Sequence, residues 1–386
     1  MSTLNEVVRF KTHFCMVSGQ AAPNLLPLLD DSMKPEKVVL LVTEPMQRNA
    51  DFLEQVIKPR QITVVQHRLN VVDDFDAMQE QLMGLLENEP ADEIALNVTG
   101  GTKWMAIAAQ EVFRMNGSAV FYVNAESDKV LFLGKEQAVH SLSQRIDLKS
   151  YIQSYGYEFV ENSKPVGLSE PLRELCQRLV ARVEEWQTAI GQLNLLAATA
   201  ESRQTLTLSL KDVVPHKDQH LQVVLNECSS SGLLQEKNGN IIFADAQARS
   251  FANGGWLEFY TNSQLNSLKS EGVIQDNAHL NLQIQRSGSS IRNEVDVCFM
   301  AKNRLHLIEC KTKRMTGKGT DQVATDTVYK LDSISELGGL GTKSMLVSYR
   351  PLRDADLKRA KDLRIKVIDA QKLKTLKSEI KEWIRR

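Results

Sequence analysis

Five short runs of apolar and β-branched residues recur in the first 126 residues: "HFCMVSG", "KVVLLVTE", "QITVVQHRL", "DEIALNVTG" and "SAVFYVNAE". Between them lie segments of helical periodicity such as "NADFLEQVIKP" and "DAMQEQLMGLLENEP". A strand that hands over to a helix before the next strand begins builds a parallel sheet, because parallel neighbours need a long crossover. Runs that are apolar throughout, instead of alternating, are buried on both faces. Residues 1–148 are therefore expected to form an α/β, doubly wound, Rossmann-like domain, with any ligand bound beyond the C-terminal ends of the strands.

Those strand ends carry polar residues. Ser18, Gly19 and Gln20 follow the first run, Thr43 and Glu44 the second, and Thr99, Gly100, Gly101, Thr102 and Lys103 the fourth. Two glycines between a strand and the helical "TKWMAIAAQEVFRMNG" allow close approach of the backbone to a ligand. Free amides at the helix start, together with Lys103, favour phosphate. An anionic nucleotide fits such a turn, and so does a plain helix cap. The dinucleotide fingerprint GxGxxG is absent, and no glycine precedes Gly101 at the Walker spacing, which argues against hydride transfer and NTP hydrolysis.

Residues 149–250 read as a helical connector. "SEPLRELCQRLVARVEEWQTAIGQLNLLAATAES" has the spacing of paired helices, and "HLQVVLNECSSSGLLQEKNGNIIFAD" that of a helix followed by a hairpin turning at Asn238 and Gly239, a winged-helix-like order. A linking role is favoured over a nucleic-acid contact. His216 and His220 stand four apart, but with no third ligand nearby they read as a solvated face.

Charge is divided unevenly along the chain. Residues 251–386 hold 24 Lys plus Arg against 16 Asp plus Glu, a net of +8, and residues 1–250 hold 23 against 32, a net of −9. A basic C-terminal third suits a polyanion such as nucleic acid. No apolar run approaches the roughly 18 residues of a membrane span, and "MSTLNEVVRFKTHF" lacks the apolar centre of a signal peptide, so the expected location is cytoplasmic, with no membrane partner. The five cysteines form no CxxC pair and are expected to be reduced core residues.

The chemistry lies in "NEVDVCFMAKNRLHLIECKTKR". In a strand, residues two apart share a face, so Glu309 and Lys311 project together in "LHLIECK". Glu294, Asp296 and Cys298 share a face of the preceding strand, and a short turn around Lys302 and Asn303 pairs the two strands, bringing Asp296 beside Glu309. Burying these charges without partners would cost several kcal/mol, so the pattern points to a divalent cation, Mn²⁺ or Mg²⁺, held by carboxylate oxygens; the plainer alternative, a buried ion pair between Lys311 and one acid, leaves the other carboxylate unexplained. Such an ion polarises a phosphodiester and acidifies bound water, while Lys311 orients that water or stabilises the developing charge. Upstream, "NGGWLEFYTNSQLNSL" places Glu258 on a helix after a Gly-Gly break, a position that would complete the metal site with Asp296 and Glu309.

Glu258, Asp296, Glu309 and Lys311, in the order helix, hairpin and strand, resemble the PD-(D/E)xK nuclease superfamily, with Asp296 as the first-motif acid. Residues 251–386 are thus expected to be a restriction-endonuclease-like α/β domain. The N-terminal fold with "NVTGGTKWM" resembles the CARF domain of CRISPR-associated proteins, which senses cyclic oligoadenylates. Together, across nearly the whole chain, they are similar to the CARF nucleases of type III CRISPR defence, a family once classed as a domain of unknown function. That resemblance implies a homodimer binding cyclic tetra-adenylate across its two-fold axis. It assigns Ser18, Gly19, Gln20, Thr43, Glu44 and the loop from Thr99 to Lys103 to the activator, and single-stranded DNA or RNA to the nuclease. Two other functions stay open from the sequence: an ungated restriction or repair endonuclease, and a nucleotide-responsive DNA-binding regulator, against which the intact acidic set argues.

Overall fold

The computed structural model describes residues 9–71, 73–134, 138–161, 167–274, 276–313 and 321–385. In its N-terminal part β1 (Thr12–Met16), β2 (Lys37–Val42), β3 (Thr63–Arg68), β4 (Ile94–Asn97) and β5 (Ala119–Asn124) run parallel in the order β3-β2-β1-β4-β5. The antiparallel pair β6 (Lys129–Phe132) and β7 (Val139–Ser141) extends the β5 edge. Helices α1 (Ala22–Leu29), α2 (Gln47–Ile57), α3 (Phe75–Leu86), α4 (Lys103–Met115) and α5 (Leu148–Ser154) accompany them. β1 and β4 are buried along their whole length, as unbroken apolar runs require, whereas the edge strand β3 is partly exposed. Because β1 lies between β2 and β4, the chain leaves β1 in one direction and returns on its other side. The loops after β1 and β4 therefore part at the C-terminal edge of the sheet, the switch point where such folds bind ligands.

The next strand, β8 (Tyr157–Glu161), falls within the span read from sequence as connector, yet it forms the edge of the C-terminal sheet by pairing with the strand His279–Arg286. Helices α6 (Glu170–Ala181) and α7 (Val183–Ser202) form the expected pair. Then β9 (Thr207–Ser209), α8 (Leu210–Val213), α9 (Leu221–Ser230), β10 (Leu234–Lys237) and β11 (Asn240–Phe243) give a three-stranded antiparallel wing in the order β10-β11-β9. The wing turns at Asn238 and Gly239, both with positive φ as a tight hairpin demands.

After α10 (Ala246–Ser250) a wide π-type turn, Phe251–Gly255, leads into α11 (Trp256–Ser270). The C-terminal sheet contains β12 (His279–Arg286), β13 (Arg292–Ala301) and β14 (Arg304–Lys311) as antiparallel neighbours, then, beyond α12 (Asp321–Ser335), β15 (Lys343–Ser348), α13 (Asp354–Asp362), β16 (Ile365–Asp369) and α14 (Leu376–Arg385). β14, β15 and β16 are parallel, and the order is β16-β15-β14-β13-β12-β8.

The two faces of this sheet pack against different parts of the chain. Val297, Phe299 and Ile308 join one buried cluster with Leu193, Ala197, Leu225 and Trp256, so the connector shares its core with the nuclease-like half. Cys298, Leu305 and Leu307 join another with Ala324 and Val328 of α12 and with Cys15, Val17 and Leu25 of the N-terminal domain. Polar contacts reinforce that second junction. The Asn303 amide at the β13–β14 turn donates to the Ala125 carbonyl at 3.1 Å and to Asp128 at 2.5 Å, and Tyr151 Oη donates to the Gly338 carbonyl at 2.8 Å. All five cysteines are free and buried. Among the described residues no helix is long and apolar enough to cross a membrane.

Candidate active site and candidate sensor loops

The β13–β14 ladder pairs Val297 with Ile308, so its next step sets Asp296 opposite Glu309. Both carboxylates are buried, at 7% and 2% exposure. Asp296 Oδ2 accepts from the Cys310 amide at 2.7 Å. The Lys311 ammonium lies 2.6 Å from Glu309 Oε1 and 3.4 Å from Asp296 Oδ2. One positive charge thus already stands within reach of an oxygen from each acid, which shows that the pair can hold a cation between them. A hard divalent ion with oxygen ligands fits this donor set.

Electrostatics follow from the crowding. Burial, and then the neighbouring Glu309 charge, hold the Asp296 carboxyl above its ordinary range. Burial alone would pull the Lys311 ammonium down, but the carboxylates of Asp296 and Glu309 outweigh it and hold the pKa above normal, so Lys311 stays charged. A residue absent from the sequence reading also enters: Lys330 of α12 reaches Glu309 Oε1 at 3.0 Å. Nothing local in "TVYKLDS" marks it, because its partner lies 21 positions away on another element.

Glu258 approaches from α11. Burial, followed by the Asp296 charge, pushes its carboxyl up to about 8, while a hydrogen bond from Asn281 acts in the opposite direction. It is close enough to feel Asp296, Lys311 and Glu294, but it does not close a three-carboxylate cage: among the described residues no three His, Cys, Asp or Glu side chains are grouped to hold a metal ion. Lys311 and Lys330 both pair with Glu309. His216 and His220 do not share a helix; His220 precedes α9 as its cap and His216 lies exposed in the loop before it.

Lys311 and Glu258 also line a cavity of about 870 Å³. Its other walls come from the connector, including Leu168, Leu172 and Ser231, and from the turn before α11. That turn needs glycine. Gly254 has φ of 122°, and a Cβ there would sit 2.3 Å from the Thr312 hydroxyl, directly behind Lys311. Part of the basic excess of residues 251–386 is spent within the protein, since Lys374 pairs with Glu184 of α7 at 2.8 Å, and Lys377 and Lys381 with Glu271.

In the N-terminal domain the structure gathers the loops after β1, β2 and β4 on one edge. Ser18 closes a local turn, its hydroxyl accepting from the Gln20 amide at 3.3 Å. Gly19 is exposed, and Glu44 lies 3.4 Å from Arg68 at the end of β3. Gly100 is buried against the β1 end; a Cβ there would meet the Met16 carbonyl oxygen at 2.0 Å. Gly101 has φ of 75°. Thr102 caps α4 by accepting from the Met105 amide at 3.2 Å, leaving Lys103 exposed at the helix start. Thr99 differs from its sequence-stated neighbours: its hydroxyl donates to Asn97 Oδ1 at 2.6 Å and accepts from the Val123 amide at 2.7 Å, so the side chain braces the loop. Asn97, missed in sequence, is the hub, also donating to Asn24 and the Pro23 carbonyl. An amide ending an otherwise apolar strand was the available signal.

Residues 12–151 match the family model of the Card1 CARF domain, and residues 245–386 that of the Card1-like endonuclease domain. Protein VC1899 from Vibrio cholerae superposes with a TM-score of 0.87 at 29% identity, over 98% of each chain. Can2 from Sulfobacillus thermosulfidooxidans, solved in complex with cyclic tetra-adenylate, gives 0.81 at 28% identity over 99% of each. A type III CRISPR defence DNA nuclease activated by cyclic oligoadenylate shares the fold at 19% identity, with a TM-score of 0.52 over 88% of this chain and 45% of that one. No curated protein matches the sequence.

Proposed function

The chain belongs to the CARF-domain nucleases, with a sensor and an endonuclease domain both of the Card1 type, and on that premise we propose a nuclease of type III CRISPR defence, switched on by cyclic oligoadenylate. The ring is cyclic tetra-adenylate, as in the Can2 complex, and the substrate is single-stranded DNA or RNA. The observation that carries this is the Asp296, Glu309 and Lys311 constellation on paired strands, two buried acids sharing one cation.

When bound, a divalent metal, Mn²⁺ or Mg²⁺, supplies Lewis-acid polarisation of the scissile phosphate. Asp296 and Glu309 would hold it, while Glu258 on α11 stands close enough to feel that charge without completing a three-carboxylate cage. Lys311, kept charged by these acids, stabilises the negative charge that develops at the phosphorus centre. Lys330 holds the Glu309 carboxylate from the α12 side and so sets its orientation. At the sensor edge, the exposed Lys103 and the free amides at the start of α4 take the activator's phosphates, with residues 18–20, Thr43 and Glu44 completing the loop cluster.

Two copies act together. Trp104, Ile107 and Met115 are 49%, 57% and 74% exposed on α4, and their spacing puts them on one side of that helix, an apolar stripe suited to a second copy beside the sensor loops. The deciding assay incubates labelled DNA and RNA with Mn²⁺, with and without cyclic tetra-adenylate. Cleavage only with the activator is the expected result. Equal cleavage without it would mark an ungated endonuclease.

A further inference from the structure

The cavity beside Lys311 is larger than a metal ion and one phosphate require, and most of its wall is not built by the nuclease sheet. Its wall takes in Leu168 and Leu172, the loop from Ser231 to Leu233 that leads into the wing, and the turn bearing Gly254 and Gly255. Charge is distributed unequally between the two sides. Among the described lining residues the nuclease side carries both cations, Lys311 and Lys313, together with the carboxyl groups of Glu258 and Glu294, whereas the connector side offers one charged group, Asp245, whose carboxylate already accepts from the Ala248 amide at 2.7 Å. A phosphate belongs on the first side. The second suits a flat, uncharged, partly apolar group.

Aromatic surface is present in the right place. Phe259 follows Glu258 on α11 and lines the cavity, half-buried, while Trp256, Leu257 and Tyr260 of the same helix are buried in the core. Phe251 packs behind it at 5.9 Å between ring centroids, which restrains the Phe259 ring. The Gly254 and Gly255 backbone gives another part of the wall without side chains, and no Cβ fits at Gly254.

We infer that the connector completes the nuclease site as a nucleobase pocket: the base next to the scissile phosphate of a single-stranded substrate docks on Phe259, between Leu168, Leu172 and the Gly254 turn. This rests on the nuclease function proposed above and specifies its substrate contact. Single strands are the class that can place a base there, since an unstacked base presents its face to an aromatic ring at no unpairing cost. The connector is then a part of the substrate site and more than a link between domains.

The test is abasic scanning with the full chain, Mn²⁺ and cyclic tetra-adenylate, on single-stranded oligonucleotides that lack one base at successive positions around the cut. One position flanking the cut should lower kcat/KM roughly tenfold, the scale of a lost base–aromatic stack. Phe259→Ala should show a similar loss on the intact oligonucleotide and no further loss on the abasic one. Phe259→Leu, which keeps the packing volume but not the ring, should behave in the same way and guards against a folding artefact. Equal cleavage of every abasic substrate by the unaltered protein, or an abasic penalty that persists in Phe259→Leu, overturns the pocket. If the intact oligonucleotide is not cut at all with activator present, the nuclease function fails, and the pocket with it.

Discussion

The candidate active site and the candidate sensor loops use opposite means. At the active site the important groups are side chains inside strands, buried, and compensated by one another: Asp296 and Glu309 by Lys311 and Lys330. At the sensor edge they are loops after strands, partly exposed, whose shape depends on glycines and on hydroxyls that satisfy the backbone. One region stores its function in charge and the other in backbone path. Substitutions should therefore fail differently: the first should lose chemistry while the activator still binds, and the second should lose activation while the chemistry is intact.

The largest effect separating them is expected from Glu309→Gln, which removes a buried charge proposed to hold the metal, with almost no change in volume. Activated cleavage should drop about 10²-fold or more. Calorimetric titration should show cyclic tetra-adenylate binding unaltered; near-normal turnover would dissolve the contrast. Chelation probes the same region without mutation. EDTA should stop cleavage and added Mn²⁺ restore it, again with no change in activator affinity, and activity that survives exhaustive chelation would remove the metal from the account.

On the sensor side Gly100→Ala is the sharper change, because its Cβ has no space against the Met16 carbonyl. Overpacking costs about 1–3 kcal/mol, so the loop should shift and activator affinity fall about tenfold or more. Lys103→Ala is milder, since the lysine is exposed and screened. About fivefold more cyclic tetra-adenylate should be needed for half-maximal cleavage, with a similar maximum. A dose curve that does not move would place the sensor elsewhere.

A last effect, read in stability and not in activity, concerns two buried histidines, one in each of the two large sheets. His13 lies in β1 with neither ring nitrogen hydrogen-bonded among the described residues, and His306 in β14 with Nε2 likewise unpartnered. Burial lowers both to about 3. The folded protein keeps them neutral while the unfolded chain takes up a proton on each below about 6.5, so stability should fall as the pH drops below that value. The slope is about 1.4 kcal/mol per pH unit for each histidine. Thermal melts between pH 7.5 and 5 should show it, and His13→Leu should flatten the part that belongs to the N-terminal sheet. Identical slopes in both proteins would refute that assignment.

How far each region could be read from sequence follows from the same difference. The alternation of buried strand runs with helices was enough for the parallel sheet, because burial on both faces imposes an unbroken apolar pattern. The short β6 and β7, partly exposed at one end of the sheet, gave no such pattern. The pairing of Asp296 with Glu309 was legible because strand periodicity is strict and the turn at Lys302 and Asn303 is two residues long, both with positive φ. The sensor loops could be located but their roles could not be divided, since nothing local distinguishes the bracing Thr99 from the exposed Lys103.

By itself, then, the sequence determined the strand–helix alternation of the N-terminal sheet and the Asp296, Glu309 and Lys311 constellation, because period, turn chemistry and burial of charge act over a few residues. Only the tertiary structure decided what depends on distant segments meeting. It brought Lys330 to Glu309 across a helix. It placed β8 at the edge of a sheet whose other strands begin more than 100 residues later. It also merged the connector with the nuclease core, so that Leu168 and Lys311 line one cavity. Such contacts are fixed by the packing of whole faces and by loop closure, and they leave no local pattern in the chain.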